Sequence, residues 1–96
     1  MTNQRGKWEI ILEILRGVSE EEKEGGKVKK TRVMQKACLD WRSFQKYFHF
    51  LLEHGFVGSD KPGGSKGYYL TERGRDLLNR LGEVEGILQE TFSFKL

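Results

Sequence analysis

The chain has 96 residues, of which 32% are charged, with 17 Lys and Arg against 14 Asp and Glu for a net charge of +3. That length makes one domain with a modest core, and the composition excludes a low-complexity tail. No apolar run reaches the roughly 20 residues needed to cross a bilayer, and a single cysteine rules out an internal disulfide framework and fits a reducing, cytoplasmic setting.

The opening, MTNQRGKWEIILEIL, interleaves apolar residues with Glu9 and Glu13 and has no small-residue cleavage site, so it reads as a helix and not as a secretory signal. That first helix is expected from about Gln4 to Val18, with Trp8, Ile11, Leu12, Leu15 and Val18 in one stripe and Ile10 and Ile14 broadening it. The polar run Ser19–Gly26 (SEEEKEGG) ends in two glycines and reads as a loop or frayed end with a solvated acidic face. A second helix is expected from Lys29 or Lys30 to Ala37, burying Val33, Met34 and Ala37. A short break at Cys38-Leu39 follows, and Asp40 is a good N-cap for a third helix from Trp41 to about His54. Phe44, Tyr47, Phe48, Leu51 and Leu52 form its apolar stripe, and Gly55 is the expected C-cap.

Phe56-Val57 and Tyr68-Tyr69-Leu70 read as two short strands around turn chemistry at residues 60–67, which carries Lys61 and Lys66. Thr71 can cap a fourth helix, with Glu72 in its first turn where a carboxylate suits the helix dipole. Within that helix Leu77, Leu81, Val84 and Leu88 recur at spacings of four, three and four, the seam of a coiled coil, and Thr91 continues the register. Gly82 and Gly86 interrupt it, each costing about 0.8–1.0 kcal/mol against alanine, a cost that close approach of another helix can offset. The order of elements is that of a mainly α fold with a small β-wing: a winged helix-turn-helix over residues 1–71, with a C-terminal dimerisation helix and tail over 72–96 in the same single domain.

The charge is segregated. Residues 1–26 and 76–96 each carry a net −2, whereas residues 27–75 carry +7. Clustering of Lys and Arg on the segment that holds the helix-turn-helix favours binding of phosphate, and so of double-stranded DNA, over a merely solvated face. Removing the core stripe from the third helix leaves Trp41, Arg42, Gln45, Lys46 and His49 as candidates to meet base edges in the major groove. Arg42 has the donors for guanine, Gln45 the donor–acceptor pair for adenine, and Lys46 suits guanine or a phosphate. Trp41 can pack on a sugar or a base edge, or be half-buried core. Lys29, Lys30, Arg32 and Lys36 from the second helix, and Lys61 and Lys66 from the wing, are candidates for phosphate contacts. About four such contacts per protomer give a dimer a slope of about −7 in log K against log[salt].

Other chemistry finds no support in the residues. Cys38 reads as a small buried apolar residue more than as a redox thiol. His49 and His54 stand five apart on one helix, off a common ligand face, so no metal and no cofactor is expected. GGSKG does not open a helix, as a phosphate-cradling loop must, and no nucleophile motif is present, so the chain is not read as an enzyme.

The combination of Lys30-Thr31-Arg32 opening the second helix, Leu39 entering the third, the run Leu51-Leu52-Glu53-His54-Gly55-Phe56-Val57 leading into the wing, and Leu70-Thr71-Glu72-Arg73-Gly74 opening the fourth helix resembles the small archaeal winged-helix DNA-binding proteins. That group includes the crenarchaeal chromatin-type members that dimerise by an antiparallel coiled coil, and the likeness covers roughly residues 7–90. It implies DNA binding as a homodimer through the third helix and wing, with Leu77, Leu81, Val84 and Leu88 at the dimer interface. The fourth helix looks shorter than in the chromatin-type members and broken by glycine, and the aromatic third helix favours a transcription regulator over a sequence-nonspecific coating protein. The rival reading is a protein-interaction adaptor that offers Trp41, or the tail at Phe92 and Phe94, to a protein partner.

Overall fold

The computed structural model describes residues 6–25, 27–60 and 67–95, with side chains through residue 90. Lys61, Lys66 and the side chains of Phe92 and Phe94 lie outside the described residues. The order is α1 (Lys7–Lys23), α2 (Lys30–Ala37), α3 (Trp41–Glu53), β1 (Val57–Ser59), β2 (Tyr68–Leu70) and α4 (Glu72–Lys95). No helix among the described residues is long and apolar enough to cross a membrane.

α1 starts where the Gly6 N–H donates to Glu9 Oε1 at 2.7 Å, satisfying one of the amides a helix start leaves open. It does not stop at Val18 as the acidic run predicts. It continues through Ser19–Lys23 and ends before Gly25, whose φ of +88° lies in the left-handed region. The extension has a physical reason: the acidic side chains of this last stretch find cationic partners on α2 and α4, described below. The buried stripe of α1 is Leu12, Ile14, Leu15 and Val18, while Ile10 and Ile11 only flank the core. Gly17 completes it, for a Cβ there would stand 3.2 Å from Val33 Cγ1, so α1 and α2 are in close approach.

α2 buries Val33 and Ala37 and ends at Cys38, which adopts a left-handed conformation (φ 56°, ψ 46°). The Leu39 N–H then reaches back to the Met34 carbonyl at 3.3 Å, closing the turn. Cys38 is exposed, not the buried apolar residue its type suggests, because this backbone reversal points it away from the core. Asp40 caps α3 by accepting from the Ser43 N–H at 3.0 Å. Hydrogen bonding from the Ser43 side chain, and then from its backbone, holds the Asp40 carboxyl below its ordinary pKa.

α3 inserts Phe44, Phe48 and Leu51 into the core, with the Phe44 and Phe48 rings 4.9 Å apart and Tyr68 meeting Phe48 edge-on at 5.0 Å. Truncating such a ring to alanine typically costs about 3–5 kcal/mol. β1 and β2 pair antiparallel in the register Val57↔Leu70, Gly58↔Tyr69, Ser59↔Tyr68. On its other side Tyr68 bridges Val28, so the segment before α2 serves as a third, minimal strand. Val28 is 2% exposed, a core residue that helical periodicity does not reveal.

Thr71 joins the wing to α4: its Oγ1 donates to the Gly55 carbonyl at 2.6 Å and accepts from the Gly74 N–H at 3.0 Å. Gly74 itself lies against the Phe56 carbonyl oxygen, which a Cβ would overlap. α4 is not broken by its glycines: it runs 24 residues through Gly82 and Gly86, about 36 Å at the usual rise. Leu77, Leu78 and Leu81 rest on the core, and Arg16 on α1 donates to Glu85 Oε1 at 2.6 Å. That hydrogen bond raises the Arg16 pKa against the opposing effect of burial. Beyond this strut Val84, Ile87 and Leu88 are 45%, 62% and 40% exposed, giving the molecule its 49 Å long dimension.

Candidate nucleic-acid interface

The helix-turn-helix geometry turns one side of α3 outward. Arg42, Gln45, Lys46 and His49 follow one another at helical spacing on that side, Arg42, Lys46 and His49 exposed and Gln45 half-buried. Trp41 stands at its start, 48% exposed and stacked on Phe44 with ring centroids 6.0 Å apart, so it is anchored at one edge and open at the other. Lys46 Nζ lies 5.8 Å from the Tyr47 ring centroid. His49 Nε2 is 3.1 Å from Glu53 Oε2, both well exposed. The five α3 candidates are thus brought together on one face.

The α2 candidates divide. Lys29 is exposed at the N-cap of α2. Lys30 folds over the Phe48 and Tyr68 rings, 5.6 and 5.8 Å from their centroids, and its ammonium reaches Gln45 Oε1 at 3.4 Å. Arg32 and Lys36 face the other way, toward the acidic end of α1. Arg32 pairs with Glu21 at 3.4 Å and Glu24 at 3.6 Å. Lys36 pairs with Glu20 at 3.6 Å and with Glu21 and Glu24 at 3.4 Å each. Partial desolvation works to lower the Lys36 pKa, but Glu24 and Glu21 outweigh it and hold the ammonium above its ordinary value. Glu21 is only 5% exposed, so this cluster is an internal brace between α1 and α2. Glu22 adds a second brace by accepting from the Leu70 N–H at 3.2 Å and from Arg75 at 3.1 Å. The acidic run is therefore not merely solvated: Glu21 and Glu22 are drawn into the structure, while Glu20 and Glu24 stay exposed beside their cationic partners.

Sequence reasoning missed two parts of this surface. Lys27 is exposed beside Lys29 while Val28 between them is buried, an in–out alternation of a strand that KVKK carries but that is too short to stand out. The acidic partners of Arg32 and Lys36 were legible only as two runs of opposite charge separated by a turn. Of the coiled-coil seam, Leu77 and Leu81 lean on the chain's own core, and Val84 and Leu88 remain outward together with Ile87.

The chain is 40% identical to protein MJ0287 of Methanocaldococcus jannaschii over 85 residues, which is 88% of this chain and 78% of that one. It is also 40% identical to protein MJ0290 of the same organism over 81 residues, spanning 84% of this chain but about a third (34%) of that longer protein. Among solved structures it is similar to Sso10a-2, a DNA-binding protein from Sulfolobus solfataricus, with a TM-score of 0.77 and 30% identity over 95% of this chain and 90% of that one. SSV1 F-93 shares the fold at a TM-score of 0.62 and 20% identity, over 94% and 97% of the two chains. The resemblance to small archaeal winged-helix proteins read from the sequence is met by these archaeal matches. Residues 4–89 match the winged helix-turn-helix family, and with its four helices and two-stranded wing the chain belongs to that family.

Proposed function

We propose that this protein binds double-stranded DNA as a homodimer and regulates transcription. The observation that carries the reading is the outward side of α3, where Arg42, Gln45, Lys46 and His49 offer hydrogen-bonding groups to a groove while Phe44, Phe48 and Leu51 fix the helix from behind. In this reading α3 enters the major groove, and Trp41 packs at its leading end. Lys27, Lys29 and Lys46 lie on phosphates, joined by Lys61 and Lys66 of the wing. The likeness to Sso10a-2, a DNA-binding protein, supports it. Arg32 and Lys36 are left out of the footprint, because their charge is already met by Glu20, Glu21 and Glu24.

The dimer forms through the outer half of α4. Val84, Ile87 and Leu88 recur at i, i+3 and i+4 as an apolar stripe that is 45%, 62% and 40% exposed. Gly82 and Gly86 stand on the opposite side of α4 from this stripe, at about 100° per residue, and among the described residues no side chain or other element comes within 4 Å of a Cβ position there. α4 then sets the distance between the two recognition helices.

The test is fluorescence anisotropy of a random-sequence duplex across a salt series. Three phosphate contacts per protomer give a slope of about −5 for the dimer, and the two wing lysines in each protomer take it to about −9. Absence of binding at low salt refutes the reading. In that event the exposed Trp41 and Phe50, 48% and 41% accessible, favour the adaptor reading, and nuclease-treated pull-downs are the next measurement.

A further inference from the structure

Gln45 is placed to read a base, but it does not face the groove with both halves of its amide. Lys30 approaches it from α2, and an ammonium has three donors and no acceptor. The group that meets Lys30 is therefore the amide oxygen, as the contact of Lys30 Nζ to Gln45 Oε1 at 3.4 Å has it. Lys30 is itself held: its Nζ stands 5.6 Å from the Phe48 ring centroid and 5.8 Å from that of Tyr68, a pair of cation–π contacts that favour keeping the ammonium there. Phe48 is fully buried and Tyr68 is fixed by pairing with both Ser59 and Val28, so the platform under Lys30 is rigid. Lys30, Gln45, Lys46, Phe48, His49 and Leu52 together line a cleft of about 310 Å³ that opens along α3.

The consequence is one of hydrogen-bond polarity. A free glutamine matches adenine by donating to N7 and accepting from the N6 amino group. Lys30 takes one of the two lone pairs of the amide oxygen and draws that oxygen to the α2 side, so the half of the amide turned away from Lys30 is its two N–H donors. Those suit an edge made of acceptors, O6 and N7 of guanine or O4 of thymine, and leave the amino group of adenine or cytosine facing a donor. Lys46 on the same cleft adds only further donors.

Resting on the proposed reading of α3 as a major-groove helix, we infer that Lys30 is a specificity-setting positioning residue: by holding the Gln45 carbonyl it makes α3 select a guanine or thymine acceptor edge and reject adenine at the base Gln45 meets. Lys30 is thereby assigned to orienting a reader, and not to neutralising a phosphate.

The experiment selects bound duplexes from a randomised pool with the wild-type protein and with Gln45→Ala; the position whose preference disappears in Gln45→Ala is the one Gln45 reads. Anisotropy then compares duplexes differing only there, for wild type, Lys30→Arg and Lys30→Met. The expected result is a wild-type preference for guanine or thymine over adenine of about five- to a hundredfold. Lys30→Arg, still a donor, retains it, whereas Lys30→Met frees the oxygen and moves the preference to adenine. The preferred letter tells the two acceptor edges apart. A wild-type preference for adenine, a preference unmoved in Lys30→Met, or no position that responds to Gln45→Ala overturns the inference while leaving DNA binding intact. Gln45→Glu guards against a folding defect in Lys30→Met, because a carboxylate accepts only and must abolish the guanine or thymine preference. Failure of the wild-type protein to bind any duplex overturns the functional reading and this inference with it.

Discussion

Gly82 and Gly86 give the sharpest test of how α4 is used. Among the described residues no side chain or other element lies within 4 Å of a Cβ position at either, so alanine at each removes the glycine penalty with no clash. The gain is about 0.8–1.0 kcal/mol per site, or roughly 4–8 °C in Tm for each kcal/mol in a domain of this size. That gain exists in the folded monomer and in the dimer alike, so it cancels from the dimer dissociation constant. What the constant reports is whether the new methyl groups meet the partner helix, and forcing extra methyls into a packed contact costs about 1–3 kcal/mol. At about 100° per residue both glycines stand on the side of α4 opposite Val84, Ile87 and Leu88, so Gly82→Ala/Gly86→Ala is expected to raise Tm in dilute solution and leave the dimer affinity unchanged, measured by sedimentation across a concentration series. A double variant whose dimer is weakened about five- to a hundredfold refutes pairing through the Val84, Ile87 and Leu88 stripe and puts the partner helix beside the glycines instead.

The ion-paired end of α1 predicts a gain of binding. Glu20→Gln/Glu24→Gln leaves buried Glu21 in place but loosens Arg32 and Lys36, so duplex affinity rises and the salt slope steepens by about 0.9 for each additional phosphate neutralised; an unaltered slope means these two cations do not reach the DNA. Gly74→Ala drives a methyl into the Phe56 carbonyl at the junction of β1 and α4, and overpacking there lowers stability by about 1–3 kcal/mol or more in chemical denaturation. Glu85→Gln removes the charge facing Arg16 at 2.6 Å, a pair with 39% and 25% exposed side chains, so the stability loss is held by solvent screening to about 0.5–1 kcal/mol; its larger expected effect is on the preferred half-site spacing. Asp40 has a folded pKa below its unfolded one, so its contribution is complete above the unfolded carboxylate range and is lost as pH falls through the depressed folded value. The stability difference between wild type and Asp40→Ala should accordingly shrink on acidification, followed by urea denaturation at several pH values.

Much of the fold is legible in the sequence because its signals are local. The Asp40 cap, the apolar spacing of Phe44, Phe48 and Leu51, and the paired apolar runs at Val57 and Leu70 each act within one element or one hairpin. What escaped depends on contacts between distant segments. Residues 19–23 look like a loop because the carboxylates of Glu20, Glu21 and Glu22 crowd them, yet they stay helical since Arg32, Lys36 and Arg75 arrive from two other helices. Val28 is a single apolar residue between lysines, and its bridge to Tyr68 and its place in the core cluster become visible only in the fold. α4 carries two poor helix formers, and its continuity over 24 residues rests partly on the Leu77, Leu78 and Leu81 contacts that anchor its first half to the core.

The charge segregation shows why the candidate site was only half legible. The +7 of residues 27–75 counts Arg32, Lys36 and Arg75 as if they faced solvent, although each is paired with a glutamate from the segment counted as −2. Summing charge along the chain cannot detect this, because the acid and base meet across an interface between helices. Removing those three leaves the positive surface concentrated where Lys27 and Lys29 precede α2 and where Arg42 and Lys46 stand on α3. The unpaired positive surface among the described residues is thereby smaller than the charge sum implies but better focused. In the proposed reading, a helix that carries Gln45 between Arg42 and Lys46 adds base edges to the phosphate contacts around it, and that combination is the one a regulator that chooses its sites requires.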